Sequence, residues 1–178
     1  MNWETIIRHY NAHHRPNKHK ELNWFRRQPS LEAVLSVAAK AENDRGLRYS
    51  HQYRITRKAI QEANRLLLEK HDELQRCNSF HELWLLIRKI LKPAVGLGEL
   101  YIYDTALRIG AYLNLLPDRV YLHAGTRTGA KAFGIVSQQK EWIDLDELPN
   151  ILRELSAHEV EDILCIYKDK AVSSKGCA

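Results

Sequence analysis

The chain predicts an all-α fold, and three observations carry that expectation. Apolar residues recur at helical spacing in successive segments. Several of these segments open on a Ser or Asp that suits a helix N-cap. The only strand-like pieces, Tyr101-Ile102-Tyr103 and Val120-Tyr121-Leu122, show no pairing partner in the sequence. At 178 residues with 44% hydrophobic composition, one compact helical domain is expected over residues 1–169. A chain of this size buries about 70% of its unfolded surface and needs no staples. A basic, His-rich arm is expected at 1–20 and a disordered tail at 170–178.

Taken in order, Ser30 caps a helix whose face is Ala33, Val34, Val37, Ala38 and Ala41. From about Gln52 to Gln75 a long segment carries Ile60, Ala63, Leu67 and Leu74 on one side, with Arg54, Arg57, Lys58, Arg65 and Lys70 over much of the remainder. Ser79 and Glu82 form a capping box ahead of Leu83, Trp84, Ile87, Ile90 and Leu91, and Pro93 ends that helix. The next runs from Leu100 to Leu115, with Leu100, Tyr103, Leu107 and Ala111 on one face and Asp104–Arg108 as an i, i+4 pair, and stops at Pro117. Lys131–Phe133 suit a short helix. Asp144 caps a segment with Leu148, Ile151, Leu152 and Leu155, and Ser156 with Glu159 opens the last helix through Val160, Ile163, Leu164 and Tyr167. Trp84 reads as core, and Trp24-Phe25 as docking residues ahead of Arg26-Arg27.

No eighteen-residue apolar run and no apolar leader core occur, which excludes a membrane-spanning helix and points to the cytoplasm. Three cysteines, Cys77, Cys165 and Cys177, form no C-x-x-C pair, as expected in a reducing compartment. Charge is uneven: +6 over residues 1–76, +4 over 77–140 and −5 over 141–178. That asymmetry favours a polyanionic partner for the basic part.

Residues 91–134 concentrate the glycines and two Gly-containing turns. In the first, Ile90-Leu91-Lys92-Pro93 precedes Val95-Gly96-Leu97-Gly98. Glycine allows positive φ and close backbone approach, and the helix that follows presents N–H donors and the positive end of its dipole to an anion. Lys89, Lys92 and Arg108 add positive charge. In the second, His123, Gly125, Arg127, Thr128 and Lys131 form a compact polar segment that suits an anion nest. It is not a phosphate-binding loop of the nucleotidase type: three residues, not four, separate Gly125 from Gly129, and Ala130 stands before Lys131.

This segment resembles the helix-hairpin-helix DNA glycosylase superfamily. The hairpin, a helix of similar length, and a loop with His123 and Arg127 follow in the same order. The resemblance implies an all-α fold with a helix-hairpin-helix core that holds DNA by its backbone. The family's catalytic Asp falls at Tyr121, and its hairpin-helix Lys falls near Glu99 and Leu100, so no catalytic group carries over. Asp118, Asp104 and His123 are the nearest catalytic candidates for a glycosylase-like hydrolase. The expectation is therefore phosphate contact by Lys89, Lys92, Gly96, Gly98, Arg108, His123, Gly125, Arg127, Thr128 and Lys131, with duplex DNA as the partner and no cofactor or metal. Two further readings stand beside it. Arg8-His9 with His13, and Arg65 with His71, resemble the Arg–His motif of the HEPN ribonucleases. A basic face could instead meet an acidic protein. His9 and His13, one helical turn apart, have metal-ligand spacing, but a solvated arm is the simpler account.

Overall fold

The structure is a computed structural model and describes residues 2–136 and 140–170. In chain order its helices are α1 (Trp3–His13), α2 (Arg15–Arg26), α3 (Leu31–Lys40), α4 (Arg57–Glu69), α5 (His71–Gln75), α6 (Phe80–Leu91), α7 (Glu99–Leu113), α8 (Ala124–Ala132), α9 (Asn150–Arg153) and α10 (Ala157–Ile166). Two three-residue strands, β1 (Arg119–Tyr121) and β2 (Trp142–Asp144), complete the regular structure apart from short 3-10 turns. The structure is 66% helix, in keeping with the all-α expectation. The described residues cluster into two compact units, 18–116, and 2–17 with 117–136 and 140–170.

In the unit Lys18–Leu116, α3 packs on α4 and α7, and α6 packs on α7. Ser30 caps α3 by accepting the Ala33 N–H at 3.2 Å. The buried face of α3 is Leu31, Val34, Leu35, Ala38 and Ala39, turned slightly from the expected stripe, so that Ala33 and Val37 are only half-buried. The long segment expected from Gln52 breaks into a 3-10 turn, α4 and α5, because Thr56 caps α4 through the Ala59 N–H at 3.2 Å. The box expected at α6 is half made. Ser79 accepts the Glu82 N–H, but the Glu82 carboxylate takes the Asn78 N–H at 2.9 Å instead. Trp84 is core, as read from its stripe. α7 is buried on nearly every side from Tyr101 to Ala111 and forms the centre of this unit, not a one-faced helix. It ends at Asn114 in the left-handed region (φ 58°), which folds Leu115 back so that its N–H reaches the Gly110 carbonyl at 2.8 Å.

The unit built from the two chain ends has a core of Ile6, Tyr10, Val120, Leu122, Ile143, Leu148, Leu152, Val160, Ile163 and Leu164, among others. Two expectations are corrected here. Residues 3–13 are not a solvated arm but helix α1, because Ile6 and Tyr10 are fully buried and the Tyr10 hydroxyl donates to Asp162 at 3.0 Å. Val120 does have a strand partner: β1 and β2 pair antiparallel with Val120 opposite Ile143. A three-residue strand is too short to show alternation, so Trp142–Asp144 left no trace in the sequence pattern. Ser156 and Glu159 do form the expected capping box at α10. Asp144 and Glu147 form one too, although on a 3-10 turn. Apart from Lys170, the tail expected at 170–178 lies outside the described residues.

Candidate functional site

The glycine turn joins α6 to α7 within the unit Lys18–Leu116. Gly96 has φ +93°, a conformation that L side chains rarely adopt. Gly98 is the N-cap of α7, with extended backbone and no side chain to accept the first-turn donors. The first intrahelical bond runs from the Ile102 N–H to the Gly98 carbonyl at 3.2 Å, so earlier donors point away from the helix's own acceptors. A Cβ added at Gly96 or Gly98 would meet nothing within 4 Å. The turn is therefore not a packing corner. Val95 at its tip is 90% exposed, and Lys89 and Lys92 are exposed at the end of α6.

Arg108, expected to neutralise phosphate, points inward instead. It is 2% exposed, and its guanidinium donates to Glu21 at 3.0 Å and Gln52 at 3.1 Å, lies 3.9 Å from Asp104 and stacks 4.1 Å over the Tyr49 ring. Asp104, a catalytic candidate, accepts from Gln52 at 2.5 Å and lies 2.8 Å from His51 Nε2. Burial by itself pushes the Asp104 carboxyl up, but the His51 hydrogen bond and the Arg108 charge outweigh it and hold the carboxyl below its ordinary value. Burial likewise disfavours the charged guanidinium, and Asp104 and Glu21 reverse that. Every one of these groups lies inside one unit, and the arrangement is a satisfied ion network, not a surface cation.

The second turn is a helix. His123 is the N-cap of α8, and Gly125 and Gly129 share the α8 face that meets α10. A Cβ at Gly129 would stand 1.9 Å from the Leu164 carbonyl oxygen, and one at Gly125 2.8 Å from Cys165 Sγ. These glycines are there to let two helices touch, and Gly129 is buried by that contact. Arg127 donates to the Leu122 carbonyl at 2.5 Å, and Thr128 to the Ala124 carbonyl at 2.9 Å, while Lys131 is exposed. His123 is 4% exposed and touches the carboxylate of Glu161, itself 3% exposed, and Thr126.

The sequence-derived residues thus fall into two sets: Lys89, Lys92, Gly96, Gly98, Asp104 and Arg108 in one unit, and Asp118, His123, Gly125, Arg127, Thr128 and Lys131 in the other. Asp118 is exposed and accepts from Arg119 at 3.2 Å. Tyr121, at the place of the family's Asp, is 2% exposed. Of the ribonuclease-like residues, His9 is hydrogen-bonded to the Tyr167 hydroxyl at 2.7 Å, Arg65 is held by Glu62 and Glu69, and His71 sits beside Asp72. Phe25 is fully buried.

Sequence reasoning missed Glu161 and Cys165. The signal was present: a Glu and a Cys one helical turn apart on the segment already assigned to the last helix. It was applied only to His9 and His13. Compared with protein families, with curated proteins and with solved structures, the chain matches none. Among the described residues, no helix is long and apolar enough to cross a membrane.

Proposed function

We propose that this chain binds nucleic acid, duplex DNA first, through backbone phosphates at the α6–α7 turn. The observation that carries the reading is that Gly96 and Gly98 are exposed and crowd nothing, while Gly98 brings no side chain to cap a fifteen-residue helix. Glycines kept for packing look different, as Gly110 and Gly129 do. A helix start capped by glycine, with backbone donors and a positive dipole end, suits a phosphate oxygen. Charge supports the same surface. Residues 18–116 hold 17 Lys and Arg against 11 Asp and Glu, a net +6, while the remainder of the chain nets −1. Contacts of this kind position a duplex without reading its sequence.

The test is anisotropy of a labelled duplex titrated with the full chain across a salt series. Binding is expected to weaken with a slope of about −0.9 per phosphate neutralised, and Lys89→Gln and Lys92→Gln each remove about one such unit. Gly98→Val weakens binding with the fold intact, because an added side chain there meets no neighbour but covers the first turn. Glu99 stands in that first turn and competes for the same positive end, so Glu99→Gln tightens binding. A flat salt slope, or no binding at low salt, overturns the reading. No base release is expected from damaged duplexes, since Tyr121 is a buried phenol where the resemblance implies a carboxylate.

A further inference from the structure

Helix α10 carries Glu161 and Cys165 one turn apart, so both side chains leave the same face. That face packs on α8, at whose N-terminus His123 stands. Glycine at 125 is what permits the approach: a Cβ there would lie 2.8 Å from Cys165 Sγ and 3.4 Å from the His123 ring. One ligand atom from each of His123, Glu161 and Cys165 lies within 4.8 Å of the other two. Two of the three residues are buried and the third is half-buried.

The cluster is tied together by close polar contacts. His123 Nε2, Glu161 Oε1 and Thr126 Oγ1 touch pairwise, with Thr126 at 2.6 Å from Nε2 and 2.8 Å from Oε1. A ring nitrogen carries either a proton or a lone pair, never both. In the metal-free chain the contacts are met by one proton between Nε2 and Oε1 and by the Thr126 hydroxyl proton. Once the proton between Nε2 and Oε1 leaves, the same two atoms offer inward lone pairs to a cation, and the Thr126 hydroxyl still donates to the carboxylate.

We infer that His123, Glu161 and Cys165 bind one divalent transition-metal ion, zinc by the chemistry of the donors. Imidazole, carboxylate and thiolate together are a zinc donor set, whereas magnesium and calcium do not take a thiolate. Zinc holds N and O donors at about 2.0–2.2 Å and sulfur at about 2.3 Å, which sets the donors about 3–4 Å apart. The side chains reach that spacing by small rotations, the imidazole and carboxylate parting and the sulfur closing. On binding, the thiol releases its proton to solvent, and the proton between Nε2 and Oε1 leaves that contact as well, so the imidazole coordinates through Nε2 with its proton on Nδ1. Three protein ligands leave the fourth position to water. Thr126 is a positioning residue that orients the carboxylate.

The test uses the full chain, stripped with a chelator and titrated with cobalt(II) as a spectroscopic stand-in for zinc. The expected result is uptake of one equivalent, with a thiolate-to-cobalt band in the near ultraviolet and tetrahedral visible bands, both removed by zinc. Cys165→Ser abolishes the thiolate band, and Thr126→Val keeps the band but weakens binding about tenfold or more. X-ray absorption of the zinc-loaded wild-type chain, which needs no variant to fold, shows one sulfur neighbour at about 2.3 Å. Absence of stoichiometric uptake, a shell of nitrogen and oxygen only, or a thiolate band that survives Cys165→Ser overturns the assignment. The nitrogen-only shell is the result expected if the clustered His9, His13 and His14 bound the ion instead.

Discussion

Arg108 is 2% exposed and carries a full charge, so its energetics rest on what surrounds it. Glu21, Asp104, Gln52 and the Tyr49 face provide that surrounding, and Lys18 lies 3.7 Å from Glu21 at the edge of the cluster. Removing the guanidinium takes the cation from buried Asp104 and half-buried Glu21, so Arg108→Ala is expected to cost about 3–5 kcal/mol in urea unfolding. The cluster also sets an acid limit. The Asp104 carboxyl is held below its ordinary value in the folded chain, against about 3.9 when unfolded. A depressed carboxyl stabilises the fold above the unfolded value, and that contribution disappears as pH falls through the folded one. Urea midpoints are therefore expected to be insensitive to Asp104 chemistry between pH 5 and pH 7 and to fall below about pH 4. Asp104→Asn should flatten the acid limb; an unchanged limb would place its origin elsewhere.

At the level of elements, the glycines divide by what their missing side chains would touch. Gly129 lies under the backbone of Leu164, so Gly129→Ala forces α8 from α10 and is expected to cost about 1–3 kcal/mol or more. Gly98 has open space at its Cβ and ordinary backbone angles, so Gly98→Ala is expected to cost no more than about 1 kcal/mol, the difference between two N-cap residues. Paired thermal melts measure both; equal losses would contradict the assignment of one glycine to packing and the other to the surface. Similar Gly-rich spelling thus serves opposite ends in the two segments. G-x-G at 96–98 opens a helix toward solvent, and G-x-x-x-G at 125–129 closes one helix onto another.

Across the whole molecule, charge follows the division into units. The net +6 belongs to residues 18–116, and the acidic C-terminal residues share a unit with α1, which brings the remainder near neutrality. Long-range attraction of a polyanion depends on this summed field more than on any single pair. Lysine footprinting of the full chain with and without duplex DNA is expected to protect lysines within 18–116, Lys89 and Lys92 above all, and to leave Lys131 reactive. Protection centred on Lys131 would move the interface to the other unit.

Much of this protein was settled by sequence. Helical periodicity located the cores of α3, α4, α6, α7 and α10, and Ser30 and Ser156 marked helix starts that the structure keeps. Local rules suffice there, because a cap and an apolar stripe act within a few residues. The charge asymmetry and the Gly96–Gly98 turn were legible for the same reason. Tertiary structure alone decided which polar residues face inward. Arg108 and Asp104 satisfy the i, i+4 rule for an exposed pair, yet α7 is buried on nearly every side, and Glu21 and Gln52, distant in sequence, complete their hydrogen bonds. His123 meets Glu161 and Cys165 only because residues about 40 positions apart converge where Gly125 and Gly129 let α8 and α10 touch. Pairing of β1 with β2 and the recruitment of α1 into a core with α10 are likewise contacts between remote segments. Periodicity reports the face a segment buries, but not what it buries that face against, since the partner is chosen by long-range packing.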